Sequence, residues 1–267
     1  MMFIVKQFIP NVIVALAIVA GVLVTPVHAV GTEYPQADDS YYVTNGQEVI
    51  EDISVSDLDH PISQTSATAS TEKLVALTFD DGPRATSTER VLKILQQEHV
   101  PGTFFMIGQN VARYPLVAKE VVDSGNVVGL HTYDHPKNLP WMTSQKRAWE
   151  LTSTQDVIAS TTGVLTALLR PPYGIMTPIV RTELQQEGYQ VVMWNVDPRD
   201  WDSKNVTSED IQNTVMTHLQ KHMVILFHDG RPMEGVRDNL IPALPIIIEQ
   251  LRAQGYTFVT IDKMLDS

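Results

Sequence analysis

The chain has 267 residues, no cysteine and a formal charge of −12. Without cysteine there can be no disulfide scaffold, thiolate metal site or cysteine nucleophile, and the acidity argues against a partner bound through nucleic-acid phosphates. A content of 43% hydrophobic and 19% charged residues excludes wholesale disorder and collagen, and the length can bury one large core.

The chain opens on Lys6 followed by an apolar run from Val12 to Val24 and the small-residue site Val27-His28-Ala29. This reads as a secretory signal peptide over residues 1–29, cut after Ala29. The run is short against the ~20 apolar residues a membrane span needs. An uncleaved signal anchor is the alternative, and membrane contact is expected only through that segment if it is retained. Residues 30–72 carry nine acidic residues and no Lys or Arg, with a Ser/Thr-rich end. Their apolar residues follow no helix or strand period, so a flexible tether is expected. From Lys73 onward the balance is 18 basic against 22 acidic residues, so most of the acidity belongs to the tether.

From residue 73 short apolar runs alternate with amphipathic stretches. Strands are expected at Leu74–Phe79, Thr103–Ile107, Val127–Leu130, Ala167–Leu169, Gln190–Trp194, Met223–Phe227 and Tyr256–Thr260. Helices are expected at Ser87–Glu98, Pro115–Ser124, Thr143–Ser160, Pro178–Glu187, Ser208–Gln220 and Asn239–Gln254. Thr86 and Glu89 have capping-box spacing at the first helix. Ser208, followed by Glu209 and Asp210, reads as the start of another. Alternating strands and helices predict parallel βα units. Seven strands over residues 73–267 suit a single α/β domain, a distorted (β/α) barrel of about seven parallel strands. An open doubly wound sheet is the competing architecture. No Gly-rich phosphate loop follows the first strand, which weakens a nucleotide-binding version.

Chemistry-bearing residues follow the strands, on the face where parallel barrels keep their sites. Asp80 and Asp81 end the first strand in Thr-Phe-Asp-Asp-Gly-Pro. Alone, Asp-Asp-Gly-Pro is a turn sequence. Adjacent carboxylates at a strand end also point in different directions, so one can bind a cation while the other takes a proton. His131 and His135, after the third strand, stand at i and i+4. That spacing on a helical turn lets both imidazoles reach one cation. Arg170 opens Arg-Pro-Pro-Tyr-Gly after the fourth strand, either an exposed residue on a stiff turn or a guanidinium held against a carboxylate. Asp197-Pro198-Arg199-Asp200-Trp201 follows the fifth. His228 ends the sixth, where an imidazole is placed for acid catalysis. Trp141 and Trp149 read equally as a sugar platform or as packing.

Taken together, these five segments resemble the ordered signatures of the polysaccharide deacetylases, the NodB-homology group of carbohydrate esterase family 4. The resemblance covers roughly Lys73 to Ser267 and rests on Thr78–Pro83, His131–His135, Arg170–Tyr173, Asp197–Trp201 and Leu226–His228. It implies a metal triad of Asp81, His131 and His135, holding zinc or another divalent transition ion such as cobalt. Asp80 would be the general base and His228 the general acid, with Arg170 orienting Asp80 and Asp200 tuning His228. The Tyr173 backbone N–H would serve the oxyanion, and Trp201 and Leu226 would line the acetyl pocket. One departure from the pattern is Pro198, where many relatives carry Ser or Thr.

The resemblance implies an N-deacetylase acting on a GlcNAc polymer; with the expected export and tether, a secreted or wall-associated enzyme is expected, a monomer, with peptidoglycan its foremost substrate. The alternatives are a chitin or exopolysaccharide deacetylase, an acetylxylan esterase, and an inactive carbohydrate-binding module on the same fold.

Overall fold

The structure, a computed structural model, describes residues 72–230 and 238–267. The expected signal segment lies outside the described residues, as does all but the last residue of the expected tether.

Seven strands form one parallel sheet: β1 (Lys73–Asp80), β2 (Thr103–Met106), β3 (Val127–Leu130), β4 (Leu168–Leu169), β5 (Gln190–Val191), β6 (His222–His228) and β7 (Tyr256–Phe258). Their order is β5-β4-β3-β2-β1-β6, with β7 paired to the start of β1. The sheet curls, and one bridge between Val196 and Ile225 joins the chain after β5 to β6. The expected parallel α/β barrel is therefore observed, and its distortion is localised at this junction.

The junction also corrects the fifth strand, expected to run to Trp194. Its ladder stops at Val191. Beyond it the carbonyls of Val192 and Met193 turn to accept from Arg170 Nε (3.3 Å) and Nη2 (3.4 Å). A backbone group bonded to a side chain is lost to a neighbouring strand.

Alternation along β1 and β6 divides the core into two layers, as period-two side chains must. Val75, Leu77 and Phe79, with Met223, Ile225 and Phe227, pack under the helices. Leu74, Ala76 and Val224 face the lumen with Phe105, Leu168 and Val192, where Ile261 and Met264 join them. The upper lumen is polar, because the same alternation brings Thr78 and Asp80 to it.

Eight helices are described: α1 (Ser87–Glu98), α2 (Gly108–Arg113), α3 (Pro115–Asp123), α4 (Ser144–Thr162), α5 (Pro178–Gln186), α6 (Ser208–Thr217), α7 (Leu240–Ala253) and α8 (Ile261–Leu265). Two of them, α2 and α8, are absent from the sequence reading, since six and five residues are too few to display a helical period. Glu89 accepts from the Thr86 backbone N–H at 3.0 Å, so the capping box exists. The helix α6 starts at Ser208 as expected, capped by Thr207 in a reciprocal pair with Asp210. None of the helices among the described residues is long and apolar enough to cross a membrane.

Candidate active site

The register of β1 on β6 places Asp80 beside His228, seven residue pairs along the ladder. His131 follows the end of β3 and Arg170 the end of β4. Four strand ends thus converge on the polar upper lumen.

Asp81 Oδ1 lies 3.5 Å from His131 Nε2 and 3.2 Å from His135 Nε2. One ligand atom from each residue falls within 4.8 Å of the others. The helical turn expected for His131–His135 is not what brings the rings together. This segment is an irregular loop in which Thr132 and His135 adopt positive φ, 66° and 58°. Such conformations cost about 1–3 kcal/mol each for non-glycine residues and persist where the surroundings impose them. The ring centroids still approach to 4.9 Å.

The donor chemistry fits a transition ion. His131 Nδ1 lies 2.8 Å from the Arg170 carbonyl, which can only accept, so the proton sits on Nδ1 and Nε2 faces the cluster. Burial would raise the Asp81 carboxyl, but hydrogen bonds to His131 and His135 outweigh it and hold the group well below the usual carboxylate range. Burial opposes charge on His131 too, yet Asp80 and Asp81 raise its pKa above the ordinary value. A cation entering this set competes with a proton and releases it. Two imidazoles and one carboxylate leave coordination positions open for water and substrate.

Arg170 is fully buried, resolving the choice between an exposed and a paired guanidinium. Its Nη1 donates to Asp80 Oδ1 at 2.9 Å and to Thr78 Oγ1 at 2.7 Å. The guanidinium lies over the Phe105 ring at 4.2 Å and near Trp194 at 5.5 Å. With one oxygen fixed by Arg170, Asp80 directs Oδ2 to within 3.7 Å of His131 Nε2.

His228 is held twice by Asp200, through Nδ1 (2.8 Å) and through its backbone N–H (2.9 Å). Burial would lower the imidazole pKa, but the Asp200 charge and hydrogen bond, with Asp81 and Asp80 adding, lift it to about 9. Nδ1–H is committed to Asp200, so a proton on Nε2 is the transferable one. If this proton is delivered to a leaving group, activity is present below the His228 pKa and lost as pH rises through it. Asp200→Asn removes the charge that raises that pKa, so the alkaline limb of kcat/KM should move to lower pH. An unshifted alkaline limb would exclude His228 as the titrating acid.

Tyr173 adopts positive φ (59°) in a short turn, with its half-exposed ring against His135 at 4.7 Å. Trp201 is exposed beside Asp200 and carries the Arg199 guanidinium at 5.3 Å. Leu226 is buried on the lumen side of β6, paired in register with Thr78. Trp141 and Trp149 are both exposed, and Trp149 meets the Tyr133 ring edge-on at 5.1 Å.

Two acidic residues are missing from the sequence reading. Asp229 is buried behind the Asp80–Pro83 turn, accepting Thr88 Oγ1 at 2.5 Å through Oδ2 and Ser87 Oγ at 2.5 Å through its carbonyl. Burial pushes its carboxyl up to about 7, against the Thr88 hydrogen bond. Gly82 is required there, since a Cβ would overlap the Asp229 carboxylate. Glu150 lies on the buried face of α4, under the His131–His135 loop. The adjacency His228-Asp229 was a visible signal for the first; nothing local marks the second.

A parallel α/β barrel that gathers carboxylates, imidazoles and a buried guanidinium at its strand ends has the architecture of an enzyme with its site on that face. The family model described as polysaccharide deacetylase matches residues 67–192. A peptidoglycan-N-acetylglucosamine deacetylase of Bacillus cereus is 35% identical over 198 residues, covering 72% of this chain and 68% of the relative. Another, from Listeria monocytogenes, is 33% identical over 73% of this chain, which spans only 40% of that longer relative. A crystal structure of a peptidoglycan N-acetylglucosamine deacetylase superposes with a TM-score of 0.69 at 33% identity, covering 73% of this chain and 89% of its own. The chain belongs to the polysaccharide deacetylase family.

Proposed function

We propose that this chain is an exported, metal-dependent hydrolase that removes N-acetyl groups from GlcNAc residues of peptidoglycan and releases acetate. The observation that carries the reading is the pairing of Asp80, fixed by Arg170, with His228, fixed by Asp200, at adjoining strand ends beside the Asp81–His131–His135 set. A fixed carboxyl group to act as base and an imidazolium to act as acid are the two proton carriers that amide hydrolysis needs.

Asp81, His131 and His135 would hold the ion, with zinc the first choice and cobalt an acceptable substitute. Bound there, a divalent ion polarises the acetamide carbonyl and acidifies water. Asp80 Oδ2 takes the proton as water attacks the carbonyl carbon, while Arg170 keeps the carboxylate aimed. The Tyr173 backbone N–H is assigned to the developing oxyanion, a contribution worth about 3–4 kcal/mol where single donors have been removed. His228 Nε2–H protonates the amine as the C–N bond breaks, which an amide demands because its anion leaves so poorly. Trp201 and Leu226 are assigned to the acetyl pocket.

Peptidoglycan is favoured by the expected export and tether and by the names of the relatives. The test is acetate release from peptidoglycan, chitooligosaccharides and acetylxylan, with and without a chelator. Peptidoglycan should be the best substrate, chelation should abolish release, and added zinc or cobalt should restore it. Preference for chitooligosaccharides or acetylxylan would overturn the substrate, chelator-insensitive turnover the metal, and no release from any substrate the enzymatic reading itself.

A further inference from the structure

Glu150 is a carboxylate on a helix face that should be apolar. The buried face of α4 is Arg147, Glu150, Leu151, Thr154 and Ile158. Acidic residues are rarely buried to this degree unless their oxygens are engaged. In Glu150, Oε2 is engaged twice: it accepts the backbone N–H of Tyr133 at 2.8 Å and of Asp134 at 3.0 Å. Both amides belong to the loop between His131 and His135.

The hydrogen bonds of that loop show what Glu150 adds. His131 N–H donates to the Met106 carbonyl at 2.9 Å. The Thr132 and Tyr133 carbonyls accept from Gly108 (2.9 Å) and Gln109 (3.2 Å), the opening amides of α2. His135 N–H reaches Thr132 Oγ1 at 3.2 Å. The loop carbonyls are thus held from α2, while its two central amides are held by the Glu150 carboxylate alone among the bonds described. Glu150 and α2 grip opposite polarities of the same strained segment, whose flanking residues Thr132 and His135 both sit at positive φ. Strain of this kind relaxes when a grip is released.

We infer that Glu150 is a positioning residue for the metal site, holding the two histidines in register through the backbone between them. It acts as an acceptor, touching neither ion nor substrate. This inference rests on the metal reading of Asp81, His131 and His135.

The test measures the affinity of the full chain for Zn²⁺ alone, by competition with a chromophoric chelator, in wild type and three variants. Glu150→Gln retains a side-chain carbonyl at the same reach and should bind zinc within a few-fold of wild type. Glu150→Ala removes the acceptor, and Glu150→Asp withdraws it by one methylene while keeping the charge. Each should weaken zinc binding by about 10–100-fold, the range for residues that support metal ligands from behind. If Glu150→Ala does not fold, the Asp and Gln variants decide the matter. Wild-type affinity in Glu150→Asp or in folded Glu150→Ala would overturn the proposal. A loss in Glu150→Gln equal to that in Glu150→Asp would also overturn it, by showing that the charge matters and the acceptor does not. Wild type that fails to bind zinc would instead overturn the metal reading on which this one stands.

Discussion

His135→Ala is expected to abolish both stoichiometric metal binding and turnover while leaving the barrel folded. His135 is the better ligand to remove. Its side chain is partly exposed, so an alanine leaves no sealed cavity. His131 is buried and bonded through Nδ1 to the Arg170 carbonyl, so His131→Ala would also orphan a backbone acceptor beside the Asp80 pair. One imidazole and one carboxylate remain in His135→Ala, too few donors for a tight transition-ion site of this kind. Metal content of the purified protein, read with circular dichroism to confirm folding, checks the result. Near-normal activity with one equivalent of zinc retained would remove His135 from the ligand set.

Asp80→Asn is expected to keep the metal and lose about 10²–10⁴-fold in deacetylation, the usual contribution of a general base. The asparagine carbonyl can still accept from Arg170, so the local geometry survives. The atom replacing Oδ2 is an amide nitrogen, which cannot take a proton from water. Stability will fall as well, because Arg170 is fully buried and loses its counter-charge. Removing one partner of a buried ion pair costs about 3–5 kcal/mol, and the retained hydrogen bond reduces that figure here. Single-turnover rates at saturating zinc, with thermal unfolding measured alongside, separate lost chemistry from lost fold. A rate within a few-fold of wild type would make Asp80 a turn residue.

The strand ends carrying Asp80, His131 and His228 were legible because each side chain follows an apolar run with a clear start. The five motifs together carried the family, since no single segment distinguishes a site from a turn. The state of Arg170 was not legible. Whether Arg-Pro-Pro is an exposed turn or a buried clamp depends on Asp80 and Phe105, on other strands, and on Trp194, beyond the end of β5. The fifth strand was read too long for the same reason: Val192 and Met193 are apolar enough for a strand, but their carbonyls serve Arg170.

The sequence by itself determined the order of the seven strands and the six longer helices, the parallel α/β class and the identity of the motif residues at the strand ends. These are properties of local periodicity and of residue type, which neighbours along the chain express. Only the tertiary structure decided how those groups are held. The register of β1 on β6 sets Asp80 beside His228, although 148 positions separate them in the chain. The His131–His135 pair converges through a strained loop gripped by α2 and α4, where spacing alone suggested a helical turn. Glu150 is recognisable only there, and so are the burial and the hydrogen bonds of Asp229, because such partners are set by contacts between distant segments.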